Sequence, residues 1–131
     1  MIKKAIWIVD DDPIYQIIVK KVIQRSEMFS AISSFKNGKD AIDNLHNALE
    51  NNTNLPDIIL LDINMPIMDG WEFMEEIGLI KPKLPKKIVV YIVSSSIALE
   101  DKNKSKTYEN ILGYLSKPIN VNDLVLIASN N

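Results

Sequence analysis

Residues 58–64 read IILLDIN. Four consecutive apolar side chains with no polar alternation suit a strand covered on both faces, which points to a parallel sheet rather than a half-exposed antiparallel one. The run stops at a single carboxylate, Asp62, and passes into MPIMDG (65–70), a sequence with turn character. Two more apolar runs frame it, Ala5–Val9 and Ile88–Val93, with weaker strand candidates at Ala31–Phe35, whose alternation suggests an edge, and Gly113–Ser116.

Helical periodicity fills the intervals. Asp12 before Pro13 is an N-cap followed by a first-turn proline, and Ile14, Ile17, Ile18 and Val22 follow at helical spacing. After Asn37-Gly38 the stripe is Ala41, Ile42, Leu45, Ala48 and Leu49; after Asp69-Gly70 it is Trp71, Phe73, Met74, Ile77 and Ile80. The segment 98–108 is lysine-rich and lacks a stripe. The last helix begins at Asn120, with Asp123 placed for a capping box. Within it, Leu124, Val125 and Ala128 are expected to face the sheet and Leu126, with Ile127, to lie toward solvent. That exposed surface reads equally as a partner site or as incidental.

The order is βαβαβαβαβα, which predicts an α/β fold with a doubly wound parallel sheet, since right-handed crossovers place helices on both faces. The chain has 131 residues, 47% hydrophobic and 24% charged, consistent with one domain spanning 1–131. A net charge of −2 argues against a nucleic-acid surface, and the absence of cysteine excludes disulfides, thiolate catalysis and zinc–thiolate sites. The apolar runs at either end are too short for a signal-peptide core or a membrane span, so the expected location is the cytoplasm. KPKLPKK (81–87) reads as a solvated connection on the amino-terminal side of the sheet, and His46 as a solvated helix residue.

The polar groups share one edge. Asp10 and Asp11 end the first strand, Asp62 the third, Ser94 the fourth and Lys117 the fifth. Open α/β sheets bind ligands at the carboxyl ends of their strands. Three carboxylates there repel one another by about 4 kcal/mol per pair at ~4 Å and an effective dielectric of ~20. Lys117 alone offsets too little of this. A divalent cation fits the all-oxygen set, Mg²⁺ or Mn²⁺ rather than zinc. A carboxylate beside such an ion, a lysine and a hydroxyl is equipped to attack a phosphoryl group.

Those residues are the ones by which the chain resembles a response-regulator receiver domain of two-component signalling, of the stand-alone chemotaxis-regulator type. The matching stretches are IVDDDP (8–13), LLDINMPIMDGWEF (60–73), YIVSSS (91–96) and GYLSKPI (113–119). The resemblance implies a flavodoxin-like three-layer sandwich, five parallel strands in the order 2-1-3-4-5 with five helices. It makes Asp62 the phosphoacceptor and Asp11 and Asp62 direct Mg²⁺ ligands, with Asp10 acting through water and Asn64 through its backbone carbonyl. It gives Ser94 and Lys117 to the phosphate, casts Ser94 and Tyr114 as switch residues, and makes the Lys117-Pro118 bond cis. Tyr114 can also be read as plain edge packing, and Trp7 and Trp71 as packing.

The implied function is a phosphorylation switch charged by a histidine kinase or a histidine phosphotransfer protein. It would alter its helix 4/strand 5/helix 5 face toward a protein output partner as a monomer or weak dimer. It would not be an enzyme, beyond assisting its own phosphorylation and dephosphorylation. Asn64 and Ser96 would stand at the variable positions that tune how fast water reaches the phosphate, and the short Ser96 would leave room for water and allow fast phosphate loss. Two rivals differ. A phosphatase of the haloacid-dehalogenase type needs an acid two residues after the nucleophile, where this chain has Asn64, and a cap domain that does not fit this length. A receiver-like scaffold that never takes phosphate sits badly with every reactive position being filled.

Overall fold

The computed structural model describes residues 3–95 and 98–129. Five parallel strands, β1 (Lys4–Val9), β2 (Phe29–Phe35), β3 (Ile58–Leu61), β4 (Val89–Ser94) and β5 (Ile111–Ser116), form one sheet in the order β2-β1-β3-β4-β5. Five helices connect them: α1 (Pro13–Ser26), α2 (Gly38–Asn51), α3 (Gly70–Ile80), α4 (Leu99–Ser105) and α5 (Val121–Ser129). The expected architecture is present.

The uninterrupted apolar runs follow from two cores. Trp7, Val9, Ile59, Leu61, Val90 and Ile92 face α2 and α3, while the residues between them, Ile6, Ile8, Ile58, Leu60, Tyr91 and Val93, face α1 and α5. Residues 6–9 of β1 and all of β3 and β4 are therefore buried, whichever way they point, while the edge strands β2 and β5 are not. The stripes of α2 and α3 lie inward as their spacing predicts.

Helix α1 does not follow its predicted phase. Tyr15, Val19 and Ile23 are buried, whereas Ile14, Ile17 and Ile18 are 69%, 57% and 50% exposed. Two apolar series run along this helix one residue apart, about 100° in rotation. The Asp12 carboxylate caps the helix by accepting from the N–H groups of Ile14 and Tyr15. In α5, Leu124 and Ile127 are buried while Val125 and Leu126 are exposed, so the expected sides of Val125 and Ile127 are exchanged. The predicted reciprocal cap is present: the Asn120 N–H donates to Asp123 at 3.0 Å, and the Asp123 N–H to Asn120 at 2.9 Å. Strands β2 and β5 each begin two residues earlier than the sequence pattern suggests.

At the amino-terminal side of the sheet the lysines of 81–87 are exposed. Lys86 pairs with Asp57 at 2.8 Å, and Lys81 pairs with Glu109. Surface pairs of this kind add little stability. Helix α4, seven residues long, has no side-chain N-cap and buries only Ser105. It rests on β5, where the Lys102 ammonium lies over the Tyr114 ring, and it is linked to α3 by the Trp71 indole N–H, which donates to Asp101 at 3.1 Å.

Candidate functional site at the carboxyl rim

The backbone delivers each reactive group to one rim. The Asp10 N–H donates to the Phe35 carbonyl at 3.0 Å and the Asp62 N–H to the Val9 carbonyl at 2.9 Å, so both residues extend the sheet by one bond beyond their strands. The Lys117 N–H donates to the Ser94 carbonyl at 3.0 Å. The β3–α3 turn is closed by three contacts. The Gly70 N–H reaches the Ile63 carbonyl at 2.8 Å, Asp69 and Glu72 form a capping box, and the Gly38 N–H meets the Met68 carbonyl at 3.2 Å.

Within that turn Ile67 adopts φ 70 and is 79% exposed. A β-branched residue is strained in the left-handed region, and here its side chain buries little to offset the strain. Ile67→Asn is expected to raise stability by about 1 kcal/mol, read from the urea midpoint at an unchanged slope.

Carboxylate oxygens of Asp10, Asp11 and Asp62 lie within 4.8 Å of one another. Asp10 and Asp62 are buried and Asp11 is exposed. The Lys117 ammonium sits 2.6 Å from Asp10 and 3.8 Å from Asp62. One cation among three carboxylates leaves the cluster under-compensated, and Asp62 registers this. Burial, then the charge of Asp10 and more weakly that of Asp11, push its pKa up to about 6, against the pull of Lys117 and of the Asn64 N–H. The donor set is hard, all-oxygen and short of positive charge, and it fits a divalent cation of the Mg²⁺ class. An open cleft of about 680 Å³, walled by Pro13, Ile17, Lys20, Phe35 and Lys36, leads to Asp10 and Asp11.

Ser94 is buried at the end of β4, in register with Ser116 on β5. Tyr114 lies on the outer side of β5, 38% exposed, with the Lys102 ammonium of α4 4.9 Å from its ring centroid. The Lys117-Pro118 bond is cis, as expected. The expectation attached to Ser96 falls outside the described residues. Trp7 and Trp71 are buried in packing, although Trp71 also holds α4.

Two residues of α1 join the site that sequence reasoning passed over. Gln16 donates from its side-chain amide to the carbonyls of Asp10 at 2.9 Å and Phe35 at 3.0 Å, clamping the ends of β1 and β2. Tyr15 presents its ring face to Lys117, 4.5 Å from the ammonium to the centroid. The inward phase of α1, Tyr15–Val19–Ile23, is the signal that could have found it.

Comparison with known proteins gives a consistent result. The family described as "Response regulator receiver domain" matches residues 6–129. The DNA-binding transcriptional regulator NtrC of Klebsiella pneumoniae is 27% identical over 122 residues, 93% of this chain and 23% of NtrC. The chain thus spans about a quarter of that relative. A two-component response regulator of Cytophaga hutchinsonii superposes with a TM-score of 0.80 at 32% identity, covering 96% of this chain and 95% of the other. The Mn²⁺-bound response regulator Rcp1 superposes with a TM-score of 0.73 at 28% identity, covering 95% and 88%.

Proposed function

Because the chain belongs to the response-regulator receiver family, and so to phosphorylation-dependent signalling, we propose that Asp62 is its phosphoacceptor and that a histidine kinase or histidine phosphotransfer protein is the donor. The convergence of Asp10, Asp11, Asp62, Ser94 and Lys117 on one rim carries this reading, with Lys117 between two of the carboxylates. An Asp62 carboxylate oxygen attacks the donor phosphorus. The donor's phosphorus–nitrogen bond breaks, the imidazole leaves with the electron pair, and an acyl phosphate remains on Asp62. The work is mostly positioning and charge stabilisation.

Asp10, Asp11, Asp62 and the Asn64 carbonyl would hold Mg²⁺, or Mn²⁺, the ion that Rcp1 binds. When bound, the ion supplies positive charge for the phosphoryl oxygens. Lys117 takes the remaining phosphate charge, and the Ser94 hydroxyl turns to donate to a phosphate oxygen. Tyr114 then exchanges its outward position beside Lys102 for an inward one, which biases the α4–β5–α5 face toward a protein partner. We place this activity in the cytoplasm, in a single receiver domain without catalytic turnover of other substrates, acting as a monomer or weak dimer.

Incubation with a small acyl phosphate and Mg²⁺ tests the assignment. Intact-mass spectrometry is expected to show one covalent phosphate on the wild type and none on Asp62→Asn. Equal labelling of the two would refute Asp62 as acceptor, and steady turnover of a generic phosphate ester would favour a hydrolase.

A further inference from the structure

We propose that Tyr15 is a positioning residue for phosphoryl transfer, its ring holding the Lys117 ammonium in place while that lysine changes anionic partners; the inference rests on Asp62 being the acceptor. Among the described residues the Lys117 ammonium meets Asp10 at 2.6 Å, Asp62 at 3.8 Å and the Tyr15 ring face at 4.5 Å. Phosphorylation moves the negative charge of Asp62 outward onto the phosphoryl oxygens. A lysine gripped only by the two carboxylates would have to break one short ion pair before forming the next. The ring attracts the ammonium through its quadrupole without a directional bond, so the head group can move across it and stay partnered.

The burial of Tyr15 points the same way. The residue is 9% exposed, and its hydroxyl is buried with no hydrogen-bond partner among the described residues. A buried hydroxyl without a partner is unfavourable. An aliphatic chain would fill the space beneath Lys117, but only an aromatic ring offers the ammonium a quadrupole face. The ring face is the part of Tyr15 in contact with a reactive group. It also lies at the first inward position of α1, whose start is fixed by the Asp12 cap, so the platform is anchored to the strand that carries Asp10 and Asp11. Lys117 is 18% exposed, and partial desolvation strengthens an ammonium–ring contact.

The test compares the wild type with Tyr15→Phe, Tyr15→Met and Val19→Ala, the last a packing variant one turn along the same face. In NMR spectra recorded without phosphodonor, the Lys117 methylene protons nearest the ammonium are expected upfield in the wild type and Tyr15→Phe. They are expected near free-lysine positions in Tyr15→Met. At saturating acyl phosphate and Mg²⁺, Tyr15→Met is expected to label at least threefold more slowly. Tyr15→Phe restores the rate and melts no lower than the wild type, having lost the orphan hydroxyl, and Val19→Ala labels at the wild-type rate despite a lower Tm. Wild-type labelling by Tyr15→Met overturns the proposal, as does slow labelling that Tyr15→Phe fails to restore. A wild type that labels sets the two readings apart, because it upholds Asp62 as acceptor whichever way the variants fall; one that never labels overturns both.

Discussion

Asp62→Asn melts at a higher temperature than the wild type when measured at pH 7.5 to 8 without divalent cations. The reason is the carboxyl pKa, pushed up to about 6 from an ordinary 3.8 by burial and by Asp10. A shift of about 2 units corresponds to an upper bound near 3 kcal/mol of unfavourable interaction in the charged form. Asparagine removes that charge and leaves Lys117 its 2.6 Å pair with Asp10, so no lysine is orphaned. For a domain of this size the gain reads as a Tm increase of up to about 10 °C.

The difference fades with pH in a defined window. A carboxyl whose pKa is higher folded than unfolded binds its proton more readily in the fold. Its unfavourable contribution is therefore fully present above pH 6 and fades as pH falls toward 4. The wild type and Asp62→Asn are expected to converge in Tm near pH 4. Saturating Mg²⁺ closes the gap from the other side, because an ion bound by the folded state at a hundred times its Kd adds about 2.7 kcal/mol, and Asp62→Asn has lost a ligand. Differential scanning fluorimetry over pH 4 to 8, with and without Mg²⁺, reads all three effects. A variant that melts below the wild type at pH 8 without metal would mean that Asp62 is satisfied by its protein neighbours.

Much of this geometry was legible because it is set by strand ends. A residue at the carboxyl end of a parallel strand has one place to go: Asp10, Asp62 and Lys117 directly follow β1, β3 and β5, and Ser94 closes β4, whatever the helices do. What remained illegible depends on rotation. Ile14, Ile17 and Ile18 are as apolar as Tyr15, Val19 and Ile23, and composition cannot choose between phases so close together. In α5, six apolar residues in eight likewise leave the phase undetermined, and Ile127 rather than Val125 is buried. Tyr15 was hidden for this reason, since its part in the site depends on which side of α1 faces Lys117. The Ile67 backbone was hidden for another: MPIMDG announces a turn, but which of its residues takes positive φ depends on the closing contacts of Met68 and Gly70.

Two glycines eight residues apart in one helix are expected to respond in opposite directions. At Gly70, the first residue of α3, an added Cβ would lie 2.7 Å from the Asp62 carbonyl oxygen and 2.8 Å from the Ile63 Cα. Both are backbone atoms, in a turn already closed by the Gly70 N–H to the Ile63 carbonyl at 2.8 Å, so no side chain can swing aside. Gly70→Ala must push the first turn of α3 away from the end of β3, at about 2–4 kcal/mol in overpacking and lost hydrogen bonding. The peptide that moves carries Asp62. A misplacement approaching 1 Å at a reacting group can cost about a hundredfold in rate, so acyl-phosphate labelling of Gly70→Ala is expected to fall at least tenfold. At Gly78, exposed in the interior of the same helix, an added Cβ meets nothing within 4 Å. Gly78→Ala gains helix propensity, about 1 kcal/mol, and leaves the rim untouched. Urea midpoints below the wild type for Gly70→Ala and above it for Gly78→Ala, with labelling lost only in the first, are the expected outcome. Undiminished labelling in a folded Gly70→Ala would show that the turn can yield without moving Asp62, and that the close approach of α3 to this peptide does not hold the acceptor in position.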